Sequence, residues 1–403
     1  MEPKIRFKGF EEEWKEEPLK TFFTKVTKKN TKMQYSAVLT NSAEHGIIDQ
    51  RDYFDFDVAN SNNIGGYYIV EPNDFVYNPR VSVTAPVGPI NRNRLGYAGV
   101  MSPLYLVFKI DGINKDYLCN YYKTNKWHQF MRLSGNCGAR FDRLSISDEQ
   151  FVTMPIPHPS NLKEQQVICK HLDTLDSQIS ASTSRLASLK QMKAASLQAM
   201  FPQEGETVPK MRFKGFEGEW KKVSFKDFTF HAGTKNRDNL PLESYSISNE
   251  FGFIPQNEQF ENGGTMTQAD KRMYYIVSPN SFAYNPARIN VGSLGYYEGK
   301  EDVIVSSLYE VFKTDDTICD KFLLYWFKTD IFQKMIEQFQ EGGVRLYFFY
   351  DKMCKCSLMR PPLAEQQAIA SYFTSLDRQI SLQSQRLEKL KQIKSACLDK
   401  MFV

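Results

Sequence analysis

The sequence predicts an α+β protein in which two similar mixed α/β domains are each followed by one long helix. The segment PKIRFKGFEEEWK, which begins at Pro3, returns as PKMRFKGFEGEWK at Pro209. Further motifs recur in the same order, and each copy ends in a segment without Gly or Pro. A repeat of about 200 residues is too long for a solenoid unit, so each copy should have its own core.

The bulk composition is that of an ordinary globular protein. Of 403 residues, 41% are hydrophobic and 24% are charged. No apolar run approaches the roughly 20 residues of a membrane-spanning helix, and the N-terminus lacks a signal-peptide core, so we expect a cytoplasmic protein without a membrane partner. Seven scattered cysteines predict free thiols rather than a metal site. The net charge of +4 leaves the partner open, because a nucleic-acid surface would need a local cluster of cations.

The globular copies predict short strands, turns and aromatic helices. Strand-like runs lie at residues 67–70, 104–108, 274–277 and 308–312, and helical stretches at 116–131 and 320–339. Outside the shared motifs the copies diverge: the run Asn91-Arg92-Asn93-Arg94 before Leu95-Gly96-Tyr97 has no counterpart before Leu294-Gly295-Tyr296. A shared scaffold with a different surface predicts one class of ligand bound with two specificities.

The segment after each globular copy predicts a helix with a coiled-coil seam. The Gly- and Pro-free runs from Leu162 and Leu363 predict helices of about 39 residues and about 58 Å. We expect the two helices to pack antiparallel with pseudo-two-fold symmetry, with Ser182, Gln383 and the lysines setting the register; the alternative is that each helix docks on its own domain. The seam positions are Leu175, Ile179, Ser182, Leu186, Leu189, Lys193, Ser196 and Met200, then Leu376, Ile380, Gln383, Leu387, Leu390, Lys394, Cys397 and Met401.

Three motifs in fixed order identify a family resemblance. Arg-Phe-Lys-Gly-Phe begins at Arg6 and Arg212, Gly-x-Arg ends at Arg140 and Arg345, and a Glu-Gln-Gln sequence opens each long helix. The doubled series resembles the DNA-specificity subunit of type I restriction-modification enzymes over essentially the whole chain. The first copy departs slightly, because Asn161 stands where the second copy has proline, and this affects only the expected entry into the first helix.

The resemblance implies a non-catalytic DNA reader with four segments. These are target recognition domain 1 (1–158), a central spacer helix (159–206), target recognition domain 2 (207–362) and a C-terminal spacer helix (363–403). In the family each recognition domain reads one half of a split site on double-stranded DNA. The helices fix the spacing and bind two methyltransferase subunits, which use S-adenosylmethionine to methylate adenine N6. Restriction subunits with motor and nuclease activity join them and use ATP and Mg, so no cofactor is expected in this chain.

Two other functions stay open from the residues, a stand-alone DNA methyltransferase and a coiled-coil adaptor that does not bind DNA. Tyr-Asn-Pro at residues 77–79 and 284–286 superficially resembles the Asn-Pro-Pro-aromatic loop of adenine methyltransferases, but Arg80 and Ala287 replace the second proline. The chain contains neither Gly-x-Gly nor Gly-Lys-Ser/Thr, which argues against cofactor and nucleotide loops. We interpret the motif as a turn that ends a strand, with DNA contact by its neighbours as the alternative.

Candidate DNA-binding residues are cations, amides and tyrosines beside these motifs, because arginine can bind guanine and amide side chains can bind adenine. Lys271 and Arg272 are expected to contact phosphate, and the alternative for Arg140 and Arg345 is to brace a glycine turn. The full set is Tyr77, Asn78, Arg80, Arg92, Arg94, Arg140, Lys271, Arg272, Tyr284, Asn285, Arg288 and Arg345.

Overall fold

The computed structural model describes residues 1–52, 61–137, 142–259 and 270–403. Its packing divides the chain into unit 1, formed by Met1–Thr183 with Gln385–Val403, and unit 2, formed by Ser184–Ser384. Each unit therefore contains part of both long helices. The boundaries at residues 158, 206 and 362 follow the sequence repeat instead, and they stay predictions. No helix in the described ranges combines the length and the apolar character that crossing a membrane requires.

The first copy contains twelve strands and four helices among the described residues. They are β1 (Trp14–Pro18), β2 (Phe23–Lys25), β3 (Leu39–Ser42), β4 (Gly46–Asp49), β5 (Tyr68–Val70), β6 (Phe75–Tyr77), β7 (Ile90–Arg92), β8 (Gly99–Met101), β9 (Leu106–Ile110), α1 (Lys115–Tyr122), α2 (His128–Ser134), β10 (Asn136–Cys137), β11 (Leu144–Ser145), α3 (Asp148–Phe151), β12 (Pro155–Pro159) and α4 (Leu162–Ala199).

The second copy has a similar order, with eleven strands and five helices among the described residues. Its elements are β13 (Lys221–Ser224), β14 (Thr229–His231), β15 (Thr234–Lys235), β16 (Ser244–Ser248), β17 (Gly252–Pro255), α5 (Gln256–Gln259), β18 (Tyr275–Val277), β19 (Ser281–Tyr284), β20 (Leu294–Tyr297), β21 (Val303–Val305), β22 (Glu310–Thr314), α6 (Asp320–Trp326), α7 (Asp330–Phe339), α8 (Tyr350–Met353), β23 (Ser357–Arg360) and α9 (Leu363–Lys400).

Each unit is built around a four-stranded antiparallel sheet packed on aromatic helices. The strand order is β2-β9-β6-β7 in unit 1 and β14-β22-β19-β20 in unit 2. Phe75 pairs with Phe108 across the first sheet, and Phe282 pairs with Phe312 across the second. All four rings are fully buried, and each contributes about 1.5–3 kcal/mol of hydrophobic stabilisation.

A second layer of strands lies beside this sheet in both units. In unit 2 it is one five-stranded sheet, β15-β18-β21-β16-β17. In unit 1 the same layer consists of the pairs β3-β4 and β5-β8, extended by single bridges from Lys29 to Tyr68 and from Val38 to Val100. The two strands predicted in each copy are confirmed with bounds shifted by one or two residues.

The predicted helical stretches 116–131 and 320–339 are each broken into two short helices. Thr124 and Thr329 follow the first helix of each pair, and their hydroxyl groups donate to the carbonyl oxygens of Tyr121 and Trp326, both at 2.7 Å. A side chain that bonds the backbone locally competes with helix continuation. This local competition explains why one helix was predicted where two occur.

Sheet register also corrects the predicted match between residues 95–97 and the Leu-Gly-Tyr sequence of the second copy. Strand β6 pairs with β7 so that Tyr77 faces Ile90, and β19 pairs with β20 so that Tyr284 faces Leu294. Strand β20 is therefore the structural equivalent of β7, and the similar sequence at residues 95–97 belongs to the loop after β7. The match was wrong because backbone pairing, rather than residue identity, defines equivalence here.

The two long helices contain 38 residues each, or about 57 Å at 1.5 Å per residue. The predicted seam side chains are buried or half-buried, including Leu175, Leu189, Leu376 and the polar Ser182. In unit 1 the Lys394 ammonium pairs with the Asp176 carboxylate. The sulfur of Cys397 lies 3.6 Å from Nε2 of His171. As the residue number rises along α9, from Lys394 to Cys397, the number of the contacting residue on α4 falls, from Asp176 to His171. The two helices therefore run antiparallel within this unit.

Unit 2 contains the same pairing with the roles of the helices exchanged. Lys193 of α4 pairs with Asp377 of α9, and the Ser196 hydroxyl lies 2.9 Å from the Tyr372 hydroxyl. Asp176 and Asp377 occupy equivalent positions in the two copies, as do Lys193 and Lys394. The prediction that the helices pack on each other is confirmed within each unit, and the lysines contribute to the register.

Candidate nucleic-acid interface

The motifs that carry the resemblance join each long helix to its globular part. Arg6 donates from Nε and Nη2 to the two carboxylate oxygens of Glu164 at 2.8 and 2.9 Å. Arg212 binds Glu365 in the same way at 2.7 and 2.8 Å. Both glutamates are 1% exposed. A buried carboxylate requires such a partner, so this arginine and glutamate form a structural joint.

The glutamine that follows each glutamate fixes the start of a neighbouring helix. Gln165 accepts from the Asn114 amide at 2.9 Å and donates to the Pro159 carbonyl at 2.9 Å. Gln366 accepts from the Cys319 amide at 2.7 Å. Asn114 and Cys319 immediately precede α1 and α6. The glutamate and the first glutamine of the Glu-Gln-Gln motif are therefore buried and structural, whereas the last glutamine, Gln166 or Gln367, is exposed.

The Tyr-Asn-Pro motif forms the same turn in both units. Tyr77 and Tyr284 are buried, and burial raises the pKa of both phenols. Oδ1 of Asn78 accepts from the amide of Arg80 at 3.0 Å, and Asn285 accepts from Ala287 at the same distance. Burial of the tyrosines and the local bonds of the asparagines favour the interpretation as a strand-ending turn.

An exposed arginine follows each Tyr-Asn-Pro turn within two residues. Arg80 and Arg288 are both exposed. The backbone of Arg80 pairs with that of Arg143, an exposed arginine that no repeated motif marks. In unit 2 the carbonyl of Pro286 accepts from the amide of Phe348, three residues after exposed Arg345. The structure thus brings the turn close to the Gly-x-Arg segment. Arg140 lies outside the described residues.

A glycine turn does precede Arg345. Gly342 has φ +142°, and a Cβ atom there would lie 2.0 Å from the Arg345 carbonyl oxygen. Only glycine permits this approach. The backbone of Arg345 therefore belongs to the turn, while its side chain stays exposed.

Arg92 and Arg94 converge on one carboxylate instead of pointing to solvent together. Their Nη2 atoms lie 2.6 and 2.7 Å from Oδ1 of Asp116. The Arg92 side chain is 10% exposed, whereas that of Arg94 is 53% exposed. At the matching place in unit 2, the Tyr296 hydroxyl donates to Asp320 at 2.8 Å. Arg92 therefore has a structural role that tyrosine fills in the other copy.

Lys271 and Arg272 follow the undescribed residues 260–269. Lys271 is half-buried and Arg272 is exposed. Nε of Arg272 lies 4.0 Å from the Asp270 carboxylate, and both side chains are about two-thirds exposed. A pair this exposed contributes little, so Arg272 can exchange Asp270 for phosphate at small cost.

Beside the turn, unit 1 has a cleft of about 280 Å³ lined by Lys25, Tyr68, Leu104, Arg143 and Asp148, among others. Lys25 pairs with Asp148, and this hydrogen bond raises the pKa of the lysine. These lining residues were missed because no motif marks them. The one available signal was the run of lysines from residue 25 to 32.

The matching surface in unit 2 carries different chemistry. Nε2 of His231, at the sheet position of Lys25, lies 3.6 Å from the Glu310 carboxylate. Burial raises the pKa of Glu310. The Lys235 ammonium lies 3.6 Å from the centre of the Tyr275 ring. The two units therefore present unlike side chains on one scaffold. Within the described ranges, no cluster of His, Cys, Asp and Glu could hold a metal ion.

Comparison with known families agrees with this architecture. A family model described as the type I restriction modification DNA specificity domain matches twice, at residues 11–191 and 218–392. A search of curated proteins gives no match.

Solved structures match the chain over almost its full length. The HsdS subunit from Thermoanaerobacter tengcongensis is 15% identical with a TM-score of 0.53, covering 98% of this chain and 97% of that one. The type I restriction-modification S subunit from M. genitalium is 12% identical with a TM-score of 0.53, covering 100% and 99%. A chain from a study of assembly and conformational transition of the type I R-M system is 13% identical with a TM-score of 0.52, covering 98% of both chains. At these identities the likeness shows the fold.

Proposed function

This chain belongs to the family of type I restriction-modification DNA specificity subunits, and on that premise we propose that it reads an asymmetric, bipartite site on double-stranded DNA. The observation that carries the proposal is the pairing of one scaffold with two surfaces. Lys25 in unit 1 and His231 in unit 2 stand at matching sheet positions, but they pair with acidic residues from different places, Asp148 and Glu310, and so offer different donors and acceptors. Two unlike half-sites follow from two unlike surfaces.

The proposed partners are two methyltransferase subunits, joined by restriction subunits, with S-adenosylmethionine, ATP and Mg bound by those partners. Support comes from exposed apolar side chains at equivalent positions of the long helices. Unit 1 exposes Leu162 and Ile393, and unit 2 exposes Leu363 and Met192. Single exposed apolar residues are common on protein surfaces, but their recurrence at equivalent positions of both copies supports an interaction surface. Two equivalent surfaces support two copies of one partner.

A charged substitution on this surface tests the partner proposal. We expect Met192→Glu to weaken binding of the methyltransferase subunit by at least about tenfold, because a carboxylate would be desolvated in an apolar contact. Val344→Glu is the matched control, since Val344 is fully exposed and belongs to the Gly-x-Arg segment rather than to a long helix. Gel filtration of the mixed subunits gives the measurement, and equal complex formation by both variants would contradict the assignment.

We further propose that the paired helices set the gap between the half-sites. One heptad inserted after Thr183 and another after Ser384 adds about 10.5 Å at 1.5 Å per residue. The gap should then lengthen by about three base pairs at 3.4 Å each, while both half-sites stay the same. Sequencing of modified adenines in cells that carry this variant and the methyltransferase subunit provides the test. An unchanged gap in a variant that still modifies DNA would refute the spacer role.

The salt dependence of duplex DNA binding tests the alternative of an adaptor without DNA contact. Phosphate contacts make the affinity for DNA fall steeply as salt rises. The reconstituted complex should therefore lose duplex binding by orders of magnitude between about 50 and 200 mM salt. A flat response would favour the adaptor, and binding of labelled S-adenosylmethionine by the isolated chain would favour a stand-alone methyltransferase.

A further inference from the structure

A buried asparagine anchors an exposed loop in each unit. Asn30 donates from Nδ2 to the Tyr35 carbonyl at 2.8 Å and accepts the Tyr35 amide at 3.2 Å. Asn236 makes the same two bonds with Leu240, at 3.0 and 2.9 Å. Both asparagines are 1% exposed. Because each side-chain amide is bonded at both ends, the loop between anchor and partner is held in one conformation.

The backbone of the two loops follows the same path. The amide of the third residue after each anchor donates to the anchor's carbonyl at 2.9 Å. That third residue, Met33 or Asn239, has φ +52° or +51°. A left-handed conformation is unfavourable for methionine, so the asparagine anchor has to enforce it. The shared geometry was invisible in sequence because Asn-Thr-Lys-Met and Asn-Arg-Asp-Asn have only the anchor in common.

The side chains on these loops are exposed and differ in chemistry. The first loop presents Lys32 and Gln34, and the second presents Arg237, Asp238 and Asn239. Arginine suits guanine, and glutamine or asparagine suits adenine, through paired hydrogen bonds in the major groove. A loop that is already ordered loses little entropy on binding. Both loops therefore combine a fixed backbone with residue types that can read bases.

The first loop also lies in a strongly cationic stretch next to the cleft. No acidic residue occurs between residues 18 and 43, whereas Lys28, Lys29 and Lys32 are all exposed. Within the described ranges, Lys29 and Lys32 have no ion-pair partner. The backbone of Lys29 pairs with Tyr68, which lines the cleft that contains Arg143. The residue before the Asn30 anchor thus adjoins a residue that lines the cleft.

We propose that the asparagine-anchored loops, residues 31–34 and 237–239, are specificity determinants that contact the bases of one half-site each. Gln34 and Arg237 supply the principal base contacts, and Lys32 contacts phosphate. This inference rests on the proposed function and gives it a location that the sequence motifs do not mark. Asn30 and Asn236 are positioning residues, since they are buried and act through the loop backbone.

The test uses the full chain, expressed with the methyltransferase subunit of its source organism, and sequencing of modified adenines in host DNA. We expect Gln34→Ala to relax one base position in one half-site and Arg237→Ala to relax one position in the other. In each case discrimination at that position should fall at least about tenfold, with the opposite half-site unchanged. Arg132→Ala is the matched control, because Arg132 is an exposed arginine on helix α2.

The outcomes separate this inference from the proposed function. Absence of modified adenines with the unaltered chain would overturn the proposed function itself. Modification of the same sequences by the unaltered chain and by both variants would overturn the loop assignment alone. Should a variant modify nothing, duplex binding by the purified complex decides. At least tenfold weaker binding to the unaltered site supports the assignment, and unchanged affinity overturns it.

Discussion

Removal of the Glu365 carboxylate should destabilise unit 2 strongly. Its two oxygens accept from Nε and Nη2 of Arg212 at 2.7 and 2.8 Å, and its side chain is 1% exposed against 13% for the arginine. Loss of one partner from a buried ion pair costs about 3–5 kcal/mol, because the other charge stays desolvated. Because the Arg212 side chain keeps some contact with water, its unpaired charge would be partly solvated, and the cost should lie at the lower end of this range. We therefore expect Glu365→Ala to lower the free energy of unfolding by about 3 kcal/mol.

The first copy provides an internal comparison. Glu164 accepts from Arg6 in the same way and additionally accepts from Nε1 of Trp14 at 3.3 Å, whereas Nε1 of Trp220 has no partner among the residues that the structure describes. One further hydrogen bond to a charged group contributes about 1.5 kcal/mol, less at this long distance. Glu164→Ala should therefore cost about 1 kcal/mol more than Glu365→Ala.

Urea denaturation of the full chain, followed by far-UV circular dichroism and tryptophan fluorescence, measures both losses. Glu219→Ala is the control, since Glu219 is an exposed glutamate three residues after the motif that contains Arg212. This substitution should change the free energy of unfolding by less than about 0.5 kcal/mol. If Glu365→Ala matched this control, the joint between the recognition domain and the helix would not depend on the ion pair.

Three further predictions concern individual contacts. Asp176→Lys should lower the melting temperature slightly, because the ion pair with Lys394 is partly exposed and contributes about 0.5–1 kcal/mol. Adding Lys394→Asp should restore the melting temperature in the double variant. Failure of this second change to compensate would contradict the helix register. Burial raises the pKa of Asp74 to about 6, so ionisation of this group lowers the stability of the fold as pH rises from about 4 to 6. In Asp74→Asn the melting temperature should depend less on pH over that window. An unchanged pH dependence would show that the carboxyl group titrates normally. Asn41→Ala should cost about 2–3 kcal/mol in chemical denaturation, because the buried side-chain amide donates to the carbonyl of Val76 in β6 and to that of Pro89 just before β7. A cost below about 0.5 kcal/mol would show that water replaces these bonds.

The long helices and the repeat could be predicted because their signals are local and periodic. A heptad seam specifies a buried stripe whatever lies around it, and the predicted positions from Leu175 to Met401 are buried or half-buried. The duplication of whole motifs likewise required two similar domains. The roles of Arg6 and Glu164, by contrast, could not be read from sequence, because their contact joins residues more than 150 positions apart.

The candidate site was predicted less completely for two physical reasons. Arg92 looks like a DNA ligand by type, but its guanidinium is held by Asp116, and such long-range pairing has no local signature. The asparagine-anchored loops were missed because their shared feature is backbone geometry around Asn30 and Asn236, while the exposed letters differ. Divergent side chains on a common backbone are difficult to recognise by comparing the two copies residue by residue.

The end of helix α9 belongs to unit 1, although the rest of that unit lies in the first half of the chain. This arrangement has a consequence for synthesis of the protein. Phe402 packs against Tyr117 and Tyr121 in the core of unit 1, with ring centres 5.2 and 6.3 Å apart. Phe201 fills the matching place in unit 2 against Phe373. The N-terminal unit therefore cannot complete its core until residue 402 has left the ribosome. A premature stop shortly before Cys397 would damage the part of the protein that was translated first.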